Sequence, residues 1–255
     1  MSTDTEVRYE RASLYPKQED ALFNDARYAV TEASTKSGKT VGAIVWLHEQ
    51  AALGGAPGRN YWWIAPIRRT ARIAYKRLKL FLPPGSFESN ETERTITLAN
   101  GATISFLGSE NPDSLYGEDV YAAVIDEATR VKAASWYALR STLTATEGPV
   151  RIIGNVKGRR NWAYKLARKA EAGAAGYHYA KLTVWDAVQA GIFSADEAED
   201  ARETLPASVY KELYLAEAAD TDDAFFDTSH ISIVSGVPDH VRTARAWDFA
   251  DQLGR

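Results

Sequence analysis

Lys39 stands between Gly38 and Thr40, at the end of the stretch Ala33-Ser-Thr-Lys-Ser-Gly-Lys-Thr. The stretch follows the pattern G-x-x-x-x-G-K-[ST] at every place but the first, where Ala33 replaces glycine. A loop of this spacing turns successive backbone N–H groups inward, where they cradle phosphate oxygens. A helix beginning at its end adds the positive pole of its dipole. Lys39 then reaches β- and γ-phosphate oxygens, the Thr40 hydroxyl ligates Mg2+, and Gly38 lets the backbone approach closely. The expected ATP-binding set is Ala33, Ser34, Thr35, Lys36, Ser37, Gly38, Lys39 and Thr40. The alternative is a small-residue turn capping a helix, which leaves Lys39 without a reason.

Two carboxylates supply the second signal. Tyr121-Ala-Ala-Val-Ile is a short apolar run that ends in Asp126-Glu127. A buried strand of this kind, the Walker B arrangement, delivers Asp126 beside Mg2+ and Glu127 beside the attacking water. The alternative is a strand end capped by acids. With the phosphate loop upstream, the two motifs fit adjacent strands of one nucleotide site. A glutamate after the aspartate supplies a general base for water and argues against a kinase or a GTP switch. Asn155 closes a third strand, Val150-Arg-Ile-Ile-Gly, where an amide can hold the γ-phosphate or the water and report hydrolysis. Gln18, just upstream of the first strand, resembles the adenine-reading glutamine of helicase-like ATPases, whose amide can donate to and accept from the adenine edge; the alternative is a surface polar residue.

These groups need strands that stop where the chemistry starts. The segment 27–32 reads as the strand before the loop and 41–53 as the helix after it. Tyr61-Trp-Trp-Ile-Ala-Pro66 is a buried aromatic strand. The segment 68–82 has helical spacing, with Ile73, Leu78 and Leu82 on its apolar side. Arg94-Thr-Ile-Thr-Leu and Ala102-Thr-Ile-Ser-Phe form a hairpin about Ala99-Asn100-Gly101. A helix follows Trp136, a basic helix begins at Gly158, and Lys181-Leu-Thr-Val-Trp185 is the expected last strand. Ser194-Ala-Asp-Glu197 predicts a capping box, and 205–217 a further amphipathic helix. The fold class expected is α/β, a P-loop NTPase of the ASCE or RecA-like kind. Its central sheet is mostly parallel with helices on both faces, and a small helical subdomain follows.

Composition agrees with a globular chain. Of 255 residues, 45% are apolar and 25% charged, which is ordinary for such proteins. No apolar run is long enough to span a bilayer. The polar, acidic amino terminus is unlike a signal peptide. Cysteine is absent, which excludes disulfides, thiolate metal sites and cysteine nucleophiles. The net charge of −4 does not point to nucleic acid, but its distribution does. Arg68, Arg69, Arg72, Lys76, Arg77 and Lys79 form one basic cluster. Arg151, Lys157, Arg159, Arg160, Lys165, Arg168 and Lys169 form a second. Each is either a phosphate-binding patch or a solvated helix face.

In order along the chain stand Ser37-Gly-Lys-Thr40, Ile64-Ala-Pro66, Tyr116-Gly-Glu, Val124-Ile-Asp-Glu-Ala128, Leu139-Arg-Ser-Thr-Leu143 and Gly154-Asn155 with Gly158. This series resembles the large terminase subunit of tailed bacteriophages, the motor that pumps DNA into a procapsid. The resemblance implies a flexible arm over 1–13, an ATPase core over 14–185 and a helical linker subdomain over 186–236. It makes 237–255 the first strand of an RNase H-like nuclease domain, with Asp248 as its metal ligand, and implies no nuclease activity for a chain that stops there. It assigns catalysis to Glu127, Lys39 and Asn155, and Mg2+ to Thr40 and Asp126. An arginine finger from a neighbouring subunit is implied, with Arg94 the first candidate and Arg69, Arg130 and Arg140 behind it. Lys36 stands where many relatives carry an arginine and is either its substitute or idle. Double-stranded DNA is expected on Arg159, Arg160 and Lys165, bound through its phosphate backbone. Further implied partners are the portal protein of the procapsid, the small terminase subunit and copies of the chain in a ring. No membrane is involved, and the place is the cytoplasm of the infected host. The rival readings are a helicase-like ATPase acting on nucleic acid and an ATP-binding assembly module with little turnover.

Overall fold

The computed structural model describes residues 9–219, all within one compact unit. Residues 1–8 of the expected arm, the acidic stretch 220–227 and the segment 237–255 with Asp248 lie outside the described residues.

Eight strands form one sheet in the order β3-β4-β5-β2-β6-β7-β1-β8. They are β1 (Tyr28–Ala33), β2 (Asn60–Ala65), β3 (Phe87–Asn90), β4 (Thr95–Leu98), β5 (Thr103–Gly108), β6 (Val120–Ile125), β7 (Val150–Gly154) and β8 (Tyr177–Leu182). From β5 to β8 every pairing is parallel. The β3-β4-β5 edge is antiparallel. The hairpin read from sequence is present as β4 and β5, and its return strand joins β2, so it extends the main sheet. β3 carries no apolar alternation in Phe-Glu-Ser-Asn and leaves no strand signal in the sequence.

Helices cover both faces. α1 (Pro16–Leu22), α2 (Lys39–Gly54) and α3 (Arg68–Phe81) pack on one side. α4 (Ala133–Thr142) and α5 (Trp162–Glu171) pack on the other. Strand side chains alternate between the two cores as the pleat requires. Trp63 and Ile153 face the first core, and Trp62 and Ile152 the second. Because both faces are covered, the central strands are mostly apolar, with Thr31 and Glu32 on β1 and Arg151 on β7 the buried exceptions.

Several boundaries differ from the sequence reading. In α3 the buried side is Ala71, Ala74, Tyr75 and Leu78, and Ile73 is 52% exposed. Asn161 caps α5 by accepting a hydrogen bond from Tyr164 N at 2.9 Å, so Arg159 and Arg160 lie in the preceding loop and not on the helix. The last strand ends at Leu182. Thr183 and Asp186 form a capping box there, and Trp185 belongs to α6 (Val184–Gln189). Ser194 is the N-cap of α7 (Ala195–Thr204) but its side chain makes no capping bond. α8 (Ala207–Tyr214) is shorter than its pattern. Among the described residues no helix is long and apolar enough to cross a membrane.

Candidate nucleotide site

Parallel register brings the ends of three strands to one edge of the sheet. Glu32 on β1 pairs with Gly154 on β7, and Ile125 on β6 pairs with Ile152 on β7. The residues that follow are the phosphate loop, Asn155 and Asp126-Glu127. The two motif strands are not neighbours, as the sequence reading has it, because β7 lies between β1 and β6. Inserting that strand puts Asn155 between the loop and the carboxylates.

Gly38 takes φ +79 and is the N-cap of α2, with no side chain capping the helix. The first N–H groups of such a helix have no intrahelical acceptor. Lys36, with φ 56, stands exposed at the crown of the loop. Lys39 is buried. Its Nζ donates to Ser34 O at 3.2 Å and to Asn155 Oδ1 at 3.1 Å, and lies 3.8 Å from Glu127 Oε1. One ammonium thus ties together three strand ends.

Asp126 N donates to Ile64 O at 2.8 Å, which fixes the end of β6 against β2. Burial pushes the Asp126 carboxyl up to about 7; the nearby Glu127 charge adds to this, and Lys39 opposes it. A buried carboxyl of this kind needs a cation to ionise fully. Glu127 takes φ 50 and ψ 46, the left-handed region, and half-exposes its carboxylate on the side of Lys39. Gly154 makes room for it: a Cβ there would fall 2.9 Å from Ala128 N and 3.2 Å from Glu127 Cα. Asn155 Nδ2 is buried without a hydrogen-bond partner, an orphan donor beside Lys39. A phosphate oxygen or a water is the acceptor it lacks. The open helix start, the buried ammonium and this donor suit a phosphate group. Thr40 and Asp126 suit Mg2+, which binds few protein oxygens and keeps water and phosphate ligands.

The fold is that of a large-terminase ATPase domain. The terminase ATPase domain of Thermus phage P74-26 matches with a TM-score of 0.70 over 81% of this chain and 94% of its own, at 19% identity. The large terminase of the thermophilic bacteriophage D6E matches with a TM-score of 0.68 at 15% identity, over 80% of this chain and 53% of its own. That of bacteriophage HK97 matches at 0.69 and 14% identity, over 81% of this chain and 51% of its own. This chain therefore spans about half the length of those two proteins. The D6E protein has also been solved in complex with ADP. No family model and no curated relative matches the sequence.

Within this terminase fold the other expected residues scatter. Gln18 is 3% exposed, and its Nε2 donates to Gly38 O at 2.6 Å, which places the amide against the loop and not open toward a base. Arg140 lies over the Tyr28 ring at 5.2 Å, at the start of β1 and away from the phosphate end. Arg94 has φ 58 and donates to Arg68 O at 2.6 Å; Arg69 and Arg130 are exposed. Arg159, Arg160 and Lys165 are exposed. The second basic cluster is broken by the fold, since Arg151 is buried and Arg168 is bonded to Glu32 and Tyr179.

Four contributions escaped the sequence reading. Tyr15 Oη donates to Ser37 O at 2.8 Å. Thr129 Oγ1 donates to Asn155 O at 3.1 Å, joining the Glu127 loop to the end of β7. Leu213 O accepts from Thr35 N at 2.7 Å, and Glu212 Oε1 from Gly158 N at 3.1 Å. Tyr15 leaves no signal of this role beyond its place before Pro16. A carbonyl and a carboxylate far along the chain leave none.

Proposed function

We propose that this chain is the ATP-hydrolysing motor domain of a phage DNA-packaging terminase. The observation that supports it most is the convergence of Lys39, Asn155 and Glu127 at one sheet edge of a terminase fold. Lys39 and the amides at the start of α2 bind the β- and γ-phosphates. Thr40 and Asp126 hold Mg2+, which when bound offsets charge on the phosphate oxygens. Glu127 orients the attacking water and accepts its proton. Asn155 holds the γ-phosphate side through its free amide and relays its departure through Thr129. A neighbouring copy supplies the arginine finger, Arg94 being the first choice, and the active assembly is a ring at the portal with the small subunit, in the host cytoplasm. Double-stranded DNA lies along Arg159, Arg160 and Lys165, held by its phosphates without base reading.

The test is Mg-ATP turnover against protein concentration, with and without linear double-stranded DNA. Turnover that rises faster than linearly and further with DNA is expected of a motor completed by its neighbour. No ADP release at any concentration would return the chain to an assembly module. Neutralising Arg159, Arg160 and Lys165 together should lower the log–log salt slope of DNA binding by about 2–3. An unchanged slope removes those residues from the DNA path.

A further inference from the structure

Arg151 sits within β7, 2% exposed, with its guanidinium 4.3 Å over the Trp46 ring. Its hydrogen bonds among the described residues all end on backbone carbonyls. Nε donates to Leu22 O at 2.6 Å, Nη2 to Asn24 O at 2.6 Å, and Nη1 to Ala26 O at 3.0 Å and Val150 O at 3.3 Å. Burial lowers its pKa to about 10. A buried guanidinium without a bonded carboxylate is an expensive way to fill a strand position. Its acceptors give the reason. Leu22 ends α1, and Asn24 and Ala26 lie in the turn to β1. The last carbonyls of a helix lack partners and favour a cation. Asn24 Nδ2 serves Asp20 O and Ala21 O, and the Arg151 fork serves those that follow.

α1 has seven residues, too short to persist alone. Its other end holds the phosphate loop through Tyr15 on Ser37 O and Gln18 on Gly38 O. In a planar trans peptide the C=O and the following N–H point in opposite directions. Drawing those two oxygens toward α1 therefore aims the N–H groups of Gly38 and Lys39 away from it. Close approach depends on Gly42, where a Cβ would fall 2.6 Å from Leu22 Cδ1 and 2.9 Å from Gln18 Nε2.

We propose that Arg151 is a positioning residue for the phosphate loop: it clamps the end of α1 so that Tyr15 and Gln18 keep the loop amides turned to the phosphate. This rests on the nucleotide reading above. A lysine cannot replace the fork, because one ammonium cannot span the three carbonyls of the turn.

The test compares the parent with Arg151→Met, Arg151→Lys and Gly42→Ala, and places Arg151→Met also in a Gln18→Ala background. The readouts are the Kd for Mg-ADP, the melting temperature, and hydrogen exchange of residues 34–42 without nucleotide. Arg151→Met should raise the Kd about tenfold and speed loop exchange, and Arg151→Lys should not rescue either. Gly42→Ala should do the same; the clash with Leu22 lowers its melting temperature and the helix propensity of alanine offsets part of that loss. With Gln18→Ala present, Arg151→Met should add little to the Kd, as coupled residues do. A lower melting temperature with unchanged Kd and unchanged loop exchange overturns the proposal. If Arg151→Met does not fold, Gly42→Ala decides on the same two readouts. Faster loop exchange in both variants, with a parent that binds no nucleotide, would sustain the clamp and overturn the nucleotide reading.

Discussion

Replacing Glu127 by Gln and by Asn separates the chemistry of its carboxylate from the strain of its backbone. At φ 50 and ψ 46 a residue other than Gly, Asn or Asp is disfavoured by about 1–2 kcal/mol. The carboxylate lies 3.8 Å from Lys39 Nζ with 29% of the side chain exposed. A part-exposed pair at that distance contributes about 0.5 kcal/mol or less. Both variants lose the carboxylate and the pair. Gln keeps the strain, and Asn relieves about 1 kcal/mol of it. The Asn variant should therefore exceed the Gln variant by about 1 kcal/mol, or roughly 2–4 °C in Tm for a domain of this size. Single-turnover ATP hydrolysis should fall about 10²–10⁴-fold in both if Glu127 is the base proposed above. Thermal melts give the first quantity and quenched-flow ADP release the second. An Asn variant that melts at or below the Gln variant refutes stored strain at this position. Hydrolysis within about tenfold of the parent in either variant refutes Glu127 as the base.

Three further outcomes are expected. Gly154→Ala presses a methyl against Ala128 N and Glu127 Cα, so hydrolysis should drop about tenfold or more with Mg-ADP affinity nearly unchanged; equal losses in both would mean the whole site has shifted. Arg168→Met leaves the Glu32 carboxylate, 11% exposed in its side chain, with Tyr179 but no cation, and should destabilise by about 1–3 kcal/mol. Adding Glu32→Gln should restore most of that loss in urea melts, and a purely additive double variant would show the pair is idle. Burial lowers the pKa of His48 below the usual 6.5, so the unfolded chain takes a proton that the folded chain refuses. The stabilising share is complete above 6.5 and declines as pH falls below it, by up to about 1.4 kcal/mol per pH unit; His48→Gln should flatten that decline, and an equal slope in the variant would place it elsewhere.

Much of the fold was legible because local pattern and global packing agree. The runs around Trp63 and Val124 are apolar on both faces, which marks strands buried between helix layers. The misread places are those where one local signal had two uses. Lys181 to Trp185 is apolar enough to continue a strand, but Thr183 accepts a bond from Asp186 N and turns the chain into a helix. Arg159 and Arg160 look like the first turn of a basic helix, and Asn161 starts that helix after them. β3 is polar and lies at the sheet edge, where pairing depends on the neighbour and not on burial.

The site was legible for a different reason. Lys39, Asp126, Glu127 and Asn155 each follow a strand, and parallel strands of one sheet end along one edge whatever their order. Residue type and strand end are enough to predict that they meet. Strand order is not encoded that way, so the insertion of β7 between β1 and β6 was invisible, although it is what puts Asn155 within 3.1 Å of Lys39. Arg151 shows the limit from the other side. As a charge in a basic stretch it counted toward a surface for phosphates, yet its place on β7 turns it inward onto Trp46 and the end of α1. A pleated strand alternates faces at every residue, and in a sheet covered on both sides neither face is solvent. A charged residue inside such a strand must therefore find its partners within the fold. The same rule accounts for Glu32, which leaves β1 toward Arg168 and Tyr179. Charged residues within otherwise apolar strands, such as Arg151 and Glu32, are thus the ones to read as internal ties, and those in the loops beyond the strand ends are the ones on which the proposed function rests.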